Sequence, residues 1–186
     1  MKKFELAVIS AAVAVLVGGC LFSQNTYVDN AEYDLALPKR VFDEPVRIGV
    51  FKNLSGSDRR FLMRRGDGQV VPLEYCRWRL SPELLLQRCV YGAFNVAPDN
   101  DDARPRLNAV IYRFEFDEHE NKACLAVDFM LPNNCYGTRR SALPLAVRAD
   151  VAVPVKDDGD FGAARAAAMS ECVRLAVEKL AAELKK

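Results

Sequence analysis

The chain of 186 residues carries 26 lysines and arginines against 25 aspartates and glutamates, so its formal charge is close to zero. This balance argues against a nucleic-acid-binding protein, which needs a basic excess to replace phosphate counterions, and against docking through a polybasic patch. Apolar residues make up 51% and charged residues 27% of the chain, proportions that are typical of a folded domain rather than a disordered one.

The N-terminus has the pattern of a lipoprotein signal peptide. Lys2 and Lys3 give a positive start, and residues 6–17 form an apolar run that is too short to cross a bilayer. The run ends in VGGC at 17–20, which is typical of a lipobox, where the thiolate of Cys20 accepts a diacylglycerol group. The alternatives are an ordinary signal peptide and a short helix that contains a chance cysteine.

Acyl chains on Cys20 would hold the mature protein on a membrane, because each buried methylene adds about 0.8 kcal/mol of membrane affinity. Leu21, rather than an aspartate, follows the cysteine, which by similarity to sorted lipoproteins favours the outer membrane, facing the periplasm. We therefore expect a signal peptide at 1–19, a lipidated N-terminus and polar tether at 20–32, and a single domain at 33–186.

The first half of this domain is predicted to be mostly strands. An extended segment starts at 33–35 (YDL), and the alternation of apolar and polar residues at 46–51 indicates a half-buried strand. Residues 60–65 and 69–78 indicate the two strands of a hairpin around the turn at 66–68 (GDG), where glycine accommodates a positive φ.

Two helices are predicted. The first begins after Ser81, a favoured N-cap, with Pro82 at its first position and Glu83 in its first turn. The second runs over about 161–185 and is capped by Asp160. Its buried stripe consists of apolar residues at helical spacing: Met169, Val173, Ala176, Leu180 and Leu184.

Three further strands lie between the helices. One is predicted at 107–116, and residues 123–131 and 143–153 are apolar at every second position. The order of strands, helix, strands and helix predicts an α+β fold: a mixed, mostly antiparallel sheet with two helices packed on one face.

Several of these segments together resemble a known family. They are the extended YDL at 33–35, the strand at 46–51 leading into Asn53, RFLMR at 60–64, YCRW at 75–78, Ser81-Pro82 before a helix, and an alanine-rich terminal helix. The mature chain is similar in this respect to the ABC-type transport auxiliary lipoproteins, which include the paraquat-inducible PqiC lipoproteins.

The resemblance implies a non-catalytic accessory component of an ABC transport system that moves lipids or other hydrophobic compounds through the cell envelope. The implied partners are an MCE-domain protein and an ABC permease, besides the membrane itself, and a homo-oligomer remains open. The alternative is an envelope assembly or chaperone lipoprotein that serves an outer-membrane protein.

Five cysteines remain besides Cys20, and an oxidising periplasm permits disulfides. Cys89 and Cys172 fall in the two helices that we place side by side, so they are the preferred pair. Cys124 and Cys135 are a second candidate pair that would close a strand-to-turn loop. The alternative is that these cysteines are small buried apolar residues.

Trp78, the sole tryptophan, has two interpretations that the sequence leaves open. It lies between Arg77 and Arg79, and tryptophan and arginine are common at binding hot spots, so it is a candidate anchor for a partner. Alternatively, its ring plugs the junction between the sheet and the first helix.

We expect no catalytic residues, no metal and no cofactor, and hence no enzyme. The one histidine, His119, lies in a charged turn at 117–120, without a nucleophile motif near it in the sequence. The acidic pairs at 101–102 and 157–158 occur in polar loops that offer no apolar setting to raise a pKa, so we interpret them as solvating charge.

Overall fold

The computed structural model describes residues 30–39, 41–96, 106–132, 144–156 and 159–185. Some residues of the sequence predictions lie outside these ranges: the signal peptide, Cys20 and most of the tether, Cys135, and the acidic pairs at 101–102 and 157–158. The described part contains eight strands and two helices. In chain order they are β1 (Ala31–Tyr33), β2 (Phe42–Asn53), β3 (Arg60–Arg64), β4 (Val70–Trp78), α1 (Pro82–Ala93), β5 (Phe94–Val96), β6 (Arg106–Asp117), β7 (Lys122–Leu131), β8 (Leu145–Pro154) and α2 (Phe161–Leu184).

Strand β6 is the centre of the sheet. On one edge it pairs with β7, and β7 pairs with β8, in two long antiparallel ladders. Its other edge is shared, because β2 pairs in parallel with the first half of β6 and β3 with its end. Strand β5 adds to β2, while β4 and then β1 add to β3, which splits this side of the sheet into two branches.

The predicted fold class is confirmed. The sheet is mixed, the antiparallel ladders contain most of its paired residues, and the two helices pack against it. α1 lies over β2, β5 and β6, α2 lies mainly over β7 and β8, and the helices contact each other. The period-two pattern explains this arrangement, because every odd residue of β7 from Ala123 to Leu131 is buried on the helix side.

The C-terminal helix follows its sequence signals closely. An Asp160 side-chain oxygen accepts hydrogen bonds from the backbone N–H groups of Gly162, at 2.9 Å, and Ala163, at 2.8 Å. These bonds satisfy two of the donors that a helix start leaves unpaired. The predicted stripe faces the core, with Leu184 half-buried and the other four residues buried.

Three details differ from the sequence predictions. Strand β5 was not predicted, because it has three residues, follows a helix directly and pairs with a distant part of the chain, β2. Strand β1 begins at Ala31, inside the predicted tether, and pairs with Cys76 and Arg77 of β4. At the start of α1 the Ser81 hydroxyl does not cap the backbone but donates to a Glu83 carboxylate oxygen at 2.5 Å.

Neither helix of the described residues combines the length and the apolar character that crossing a bilayer requires.

Candidate functional site

The segment that follows β1 runs across both helices and forms one wall of a groove. Arg88 of α1 binds both carboxylate oxygens of Asp34, with Nη1 at 2.9 Å from Oδ2, and Arg88 Nη2 also donates to the carbonyl of Leu35 at 3.3 Å. The backbone N–H of Ala36 donates to the Ser170 hydroxyl of α2 at 3.0 Å. The segment therefore holds its position through bonds to two helices that lie far apart in the sequence.

The groove lies between this segment and α2 and has a volume of about 480 Å³. This is within the range of small-ligand sites, which are typically lined by apolar side chains with a few polar groups. Leu37, Pro38, Phe42 and Val177 supply the apolar lining. Leu37 leaves 54% of its surface exposed, so the groove presents an apolar side chain directly to solvent.

The rim of the groove is charged. On α2, Arg174 lies between two carboxylates, bonding to Glu171 through Nε at 2.7 Å and to Glu178 through Nη1 at 2.6 Å. The hydrogen bond from Arg174 lowers the pKa of the Glu171 carboxyl, so this acid stays ionised. An apolar floor beside a fixed acid–base–acid rim can hold an apolar group and orient a polar one. The hydroxyl of Ser170 in this lining donates to the carbonyl of Ala166 at 2.7 Å and accepts from the backbone N–H of Ala36.

The ion pair between Asp34 and Arg88 makes the position of this segment sensitive to acid. The Arg88 hydrogen bond lowers the pKa of the Asp34 carboxyl below its ordinary value of 3.8. A group whose folded pKa is lowered contributes stability above its ordinary pKa, and the contribution is lost as the pH falls through the folded value. We therefore expect the thermal stability advantage of the wild type over Asp34→Asn to be full near pH 6 and to shrink below pH 3.8.

Thermal unfolding of both proteins between pH 2.5 and 7 checks this prediction. Glu74→Gln, which removes one carboxylate at an exposed position on β4, is the matched control for the change in net charge. An advantage over Asp34→Asn that is unchanged down to pH 2.5 would contradict the assigned ion pair.

The predicted disulfide between Cys89 and Cys172 is wrong, because both cysteines are buried free thiols. The helices that carry them pack on different parts of the sheet, and Cys172 Sγ donates to the carbonyl of Ala123 in β7 at 3.3 Å. Burial raises the pKa of Cys89 to about 11 and that of Cys172 to about 12. Such thiols behave as small apolar residues, which was the alternative interpretation. Cys124 is likewise a free thiol, and its candidate partner Cys135 lies outside the described residues.

The structure rejects Trp78 as an anchor for a partner, since its side chain is fully buried. The indole packs among phenylalanines, with ring centroids 4.2 Å from Phe61, 5.2 Å from Phe114 and 6.3 Å from Phe116. The flanking Arg77 and Arg79 are exposed, and Arg77 is directed away from this cluster because strand residues alternate between the two faces. The Trp78 side chain therefore fills the part of the core beside β3, β4 and β6.

The remaining candidate for chemistry, His119, lies exposed in the turn between β6 and β7. Among the residues that the structure describes, no group of three or more histidine, cysteine or acidic side chains is arranged to hold a metal ion.

The groove could not be predicted from the sequence, because its two walls, residues 36–42 and 167–178, are more than 100 positions apart. Leu37 beside Pro38 gives no local sequence signal for the groove, because its exposure is visible only in the structure.

Comparison with known proteins identifies structures with the same fold, but the sequence comparisons identify no family. No family model and no curated protein matches the chain. A crystal structure known only as that of an uncharacterized protein superposes with a TM-score of 0.65 at 14% identity, covering 83% of this chain and 98% of that one. Protein XCC0632 from Xanthomonas campestris, of the family DUF330, superposes with a TM-score of 0.59 at 15% identity, covering 81% and 92%. The chain thus shares the fold of a DUF330 protein over nearly the whole length of that protein.

Proposed function

We propose that this protein is a lipid-anchored, non-catalytic accessory component of an ABC transport system with an MCE-domain partner, which moves lipids or other hydrophobic compounds through the cell envelope. The observation that carries the proposal is the fold shared with XCC0632, since DUF330 is the family of the PqiC-like lipoproteins. The sequence segments that resemble the same lipoproteins support it independently.

The anchor in this proposal is lipid on Cys20, which follows a short apolar leader and a lipobox pattern. It would hold the domain at the outer membrane, on its periplasmic side. Beside that anchor, the described residues favour binding over catalysis. His119 is exposed in a turn, and burial raises the pKa of Cys89 and Cys172 far above neutrality, which leaves these thiols unreactive.

The surface that we propose for contact with the MCE-domain protein is the groove beside α2. Its exposed Leu37 and apolar floor, surrounded by Glu171, Arg174 and Glu178, have the composition of a protein interface, with an apolar centre and a polar rim. The volume of the groove suits one apolar side chain or a short segment of the partner.

Affinity purification of the full-length protein from detergent-solubilised membranes tests the proposal. We expect an MCE-domain protein and an ABC permease to co-purify with the wild type, and Leu37→Asp to reduce their yield about tenfold or more, because a charge at the centre of an apolar contact is left unpaired. Leu84→Asp is the matched control, since Leu84 is a similarly exposed leucine on α1 outside the groove lining.

Recovery of a β-barrel protein instead of a transporter would favour the assembly or chaperone role. Loss of binding in both leucine variants would show that the groove is not the contact surface.

Intact mass of the purified protein tests the anchor separately: we expect acyl mass on Cys20 and cleavage before it, whereas Cys20→Ala should leave the protein without lipid. Unmodified material that retains Met1 would contradict the anchor.

A further inference from the structure

Strand β8 forms an open edge of the sheet. Within the part of the chain that the structure describes, it pairs only with β7, and that ladder continues over ten residue pairs without a register shift. Proteins usually protect such an edge with a bulge, an internal proline, charged side chains or a very short strand. Before Pro154, which ends it, β8 has no bulge and no proline, and its two charged residues, Arg148 and Asp150, are of opposite sign. Among the described residues, no strand pairs with the outer edge of β8.

The sequence of this strand is nearly symmetric about its centre. Residues 144–154 read PLAVRADVAVP. Reversal of this segment about Ala149 exchanges apolar residues with apolar residues and Arg148 with the oppositely charged Asp150. Suppose that the β8 strand of a second copy lies antiparallel to this one, with the two Ala149 residues opposite each other. Four kinds of residue pair then face one another across the boundary between the copies, which is called the seam here, and each pair occurs twice: Leu145 and Val153, Ala146 and Ala152, Val147 and Val151, Arg148 and Asp150. The proline at each end lies opposite the proline of the other end, so the ladder stops where donors are absent.

One face of β8 points away from the helices and is called its open face here. The charges on this open face favour the register centred on Ala149. Arg148 and Asp150 are both exposed, and an antiparallel pairing centred on Ala149 places each opposite its counter-charge. Centring the pair on Arg148 or on Asp150 instead would place like charges opposite each other, which is destabilising. Symmetric registers next to the proposed one are thus disfavoured.

Within one copy, the two charged side chains of β8 are only partly paired with opposite charges. Arg148 Nε lies 4.0 Å from an Asp128 carboxylate oxygen of β7, and its side chain remains 66% exposed. No described residue forms an ion pair with Asp150. In the pairing, each Arg148 would lie between Asp128 of its own chain and Asp150 of the other copy, so that two symmetry-related rows of alternating charge cross the seam on the open face.

The helix-facing side of β8 is also suited to a second copy. Val147 and Ala149 are buried, but Leu145, Val151 and Val153 remain half-buried although they face the core. The pairing covers these three with apolar residues of the other copy. Ala149 lies at the two-fold axis, where its methyl group fits the spacing of about 5 Å between opposite Cβ atoms.

We propose that a second copy of this chain pairs antiparallel with β8 around a two-fold axis at Ala149, which joins the two sheets into one continuous sheet. The pairing is isologous, as closed symmetric dimers require. It does not depend on the transport role, because it rests on β8 alone.

Cross-linking tests the register in the full-length protein. Ala146→Cys and Ala152→Cys change small exposed side chains on the open face, and the proposed pairing places position 146 of one copy opposite position 152 of the other. A short bis-maleimide should give a covalent dimer when the two variants are mixed. Each variant alone should remain at the wild-type background, because equivalent positions are then about 20 Å apart along the strands. A link within one variant alone, or none in the mixture, would overturn the register.

Charge reversal tests the interface in solution. Arg148→Asp should weaken dimerisation of the detergent-solubilised protein about tenfold or more, measured by light scattering across a dilution series, because two like-charge contacts replace two attractive ones. The double variant Arg148→Asp with Asp150→Arg should recover most of the lost association, since it restores both pairs. A wild type that is monomeric, or a dimer that neither variant changes, would show that β8 is not the interface.

Discussion

Replacing Trp78 with alanine is expected to lower the free energy of unfolding by about 3–5 kcal/mol, the range for removal of a large buried aromatic side chain. The indole is fully buried and contacts the rings of Phe61, Phe114 and Phe116, which come from β3 and β6. Alanine would leave a cavity where β3, β4 and β6 meet. Urea unfolding followed by circular dichroism measures the change.

Trp78→Phe is the informative control. The indole Nε1 is buried and has no hydrogen-bond partner among the described residues, so phenylalanine loses volume but no satisfied polar contact of theirs. We expect it to cost clearly less than alanine. If both substitutions cost under about 1 kcal/mol, the ring cannot be a tightly packed part of the core.

Glu115→Ala should lower the free energy of unfolding by about 2 kcal/mol. The Glu115 side chain is 4% exposed and accepts hydrogen bonds from Arg64 Nε at 2.7 Å and from Arg113 Nε at 3.0 Å. Its removal leaves two neighbouring cations without their shared anion. Since each arginine is about one third exposed, water can solvate it, which keeps the loss below the 3–5 kcal/mol typical of a fully buried pair.

Two comparisons make this prediction specific to the pairing. Lys122→Ala, which breaks the exposed pair with Glu120, should leave stability almost unchanged, because water solvates both partners. A double-mutant cycle between Arg64→Ala and Glu115→Ala should give a coupling of at least about 0.5 kcal/mol, whereas additive effects would contradict a direct interaction.

The strands and helices that could be predicted from the sequence are those with long periodic patterns. Every odd residue from 123 to 131 is apolar, and the capping by Asp160 with the apolar stripe behind it defines α2. Strand β5 could not be predicted, because three residues carry no periodicity and its pairing with β2 depends on tertiary contacts. The parallel pairing of β2 and β3 with one edge of β6 was not predicted for the same reason.

The candidate sites were harder to predict, since each depends on which surfaces meet. Cys89 and Cys172 both lie on buried helix faces, but a sequence does not reveal that their helices cover different strands. For Trp78, the neighbouring arginines suggested exposure, although alternation along β4 places adjacent side chains on opposite faces. The groove joins Leu37 to Val177, and such a long-range contact leaves no local pattern.

The shared edge of β6 has a consequence for the order of folding. Strands β2 and β3 pair with a strand that is synthesised 40 or more residues after them, whereas β6, β7 and β8 follow one another as neighbours. Closing short loops costs less entropy than closing long ones, so the meander of β6, β7 and β8 can assemble first. The N-terminal strands then dock onto it, and the emerging chain has to keep Phe42 and Phe61 out of aggregates until that template exists.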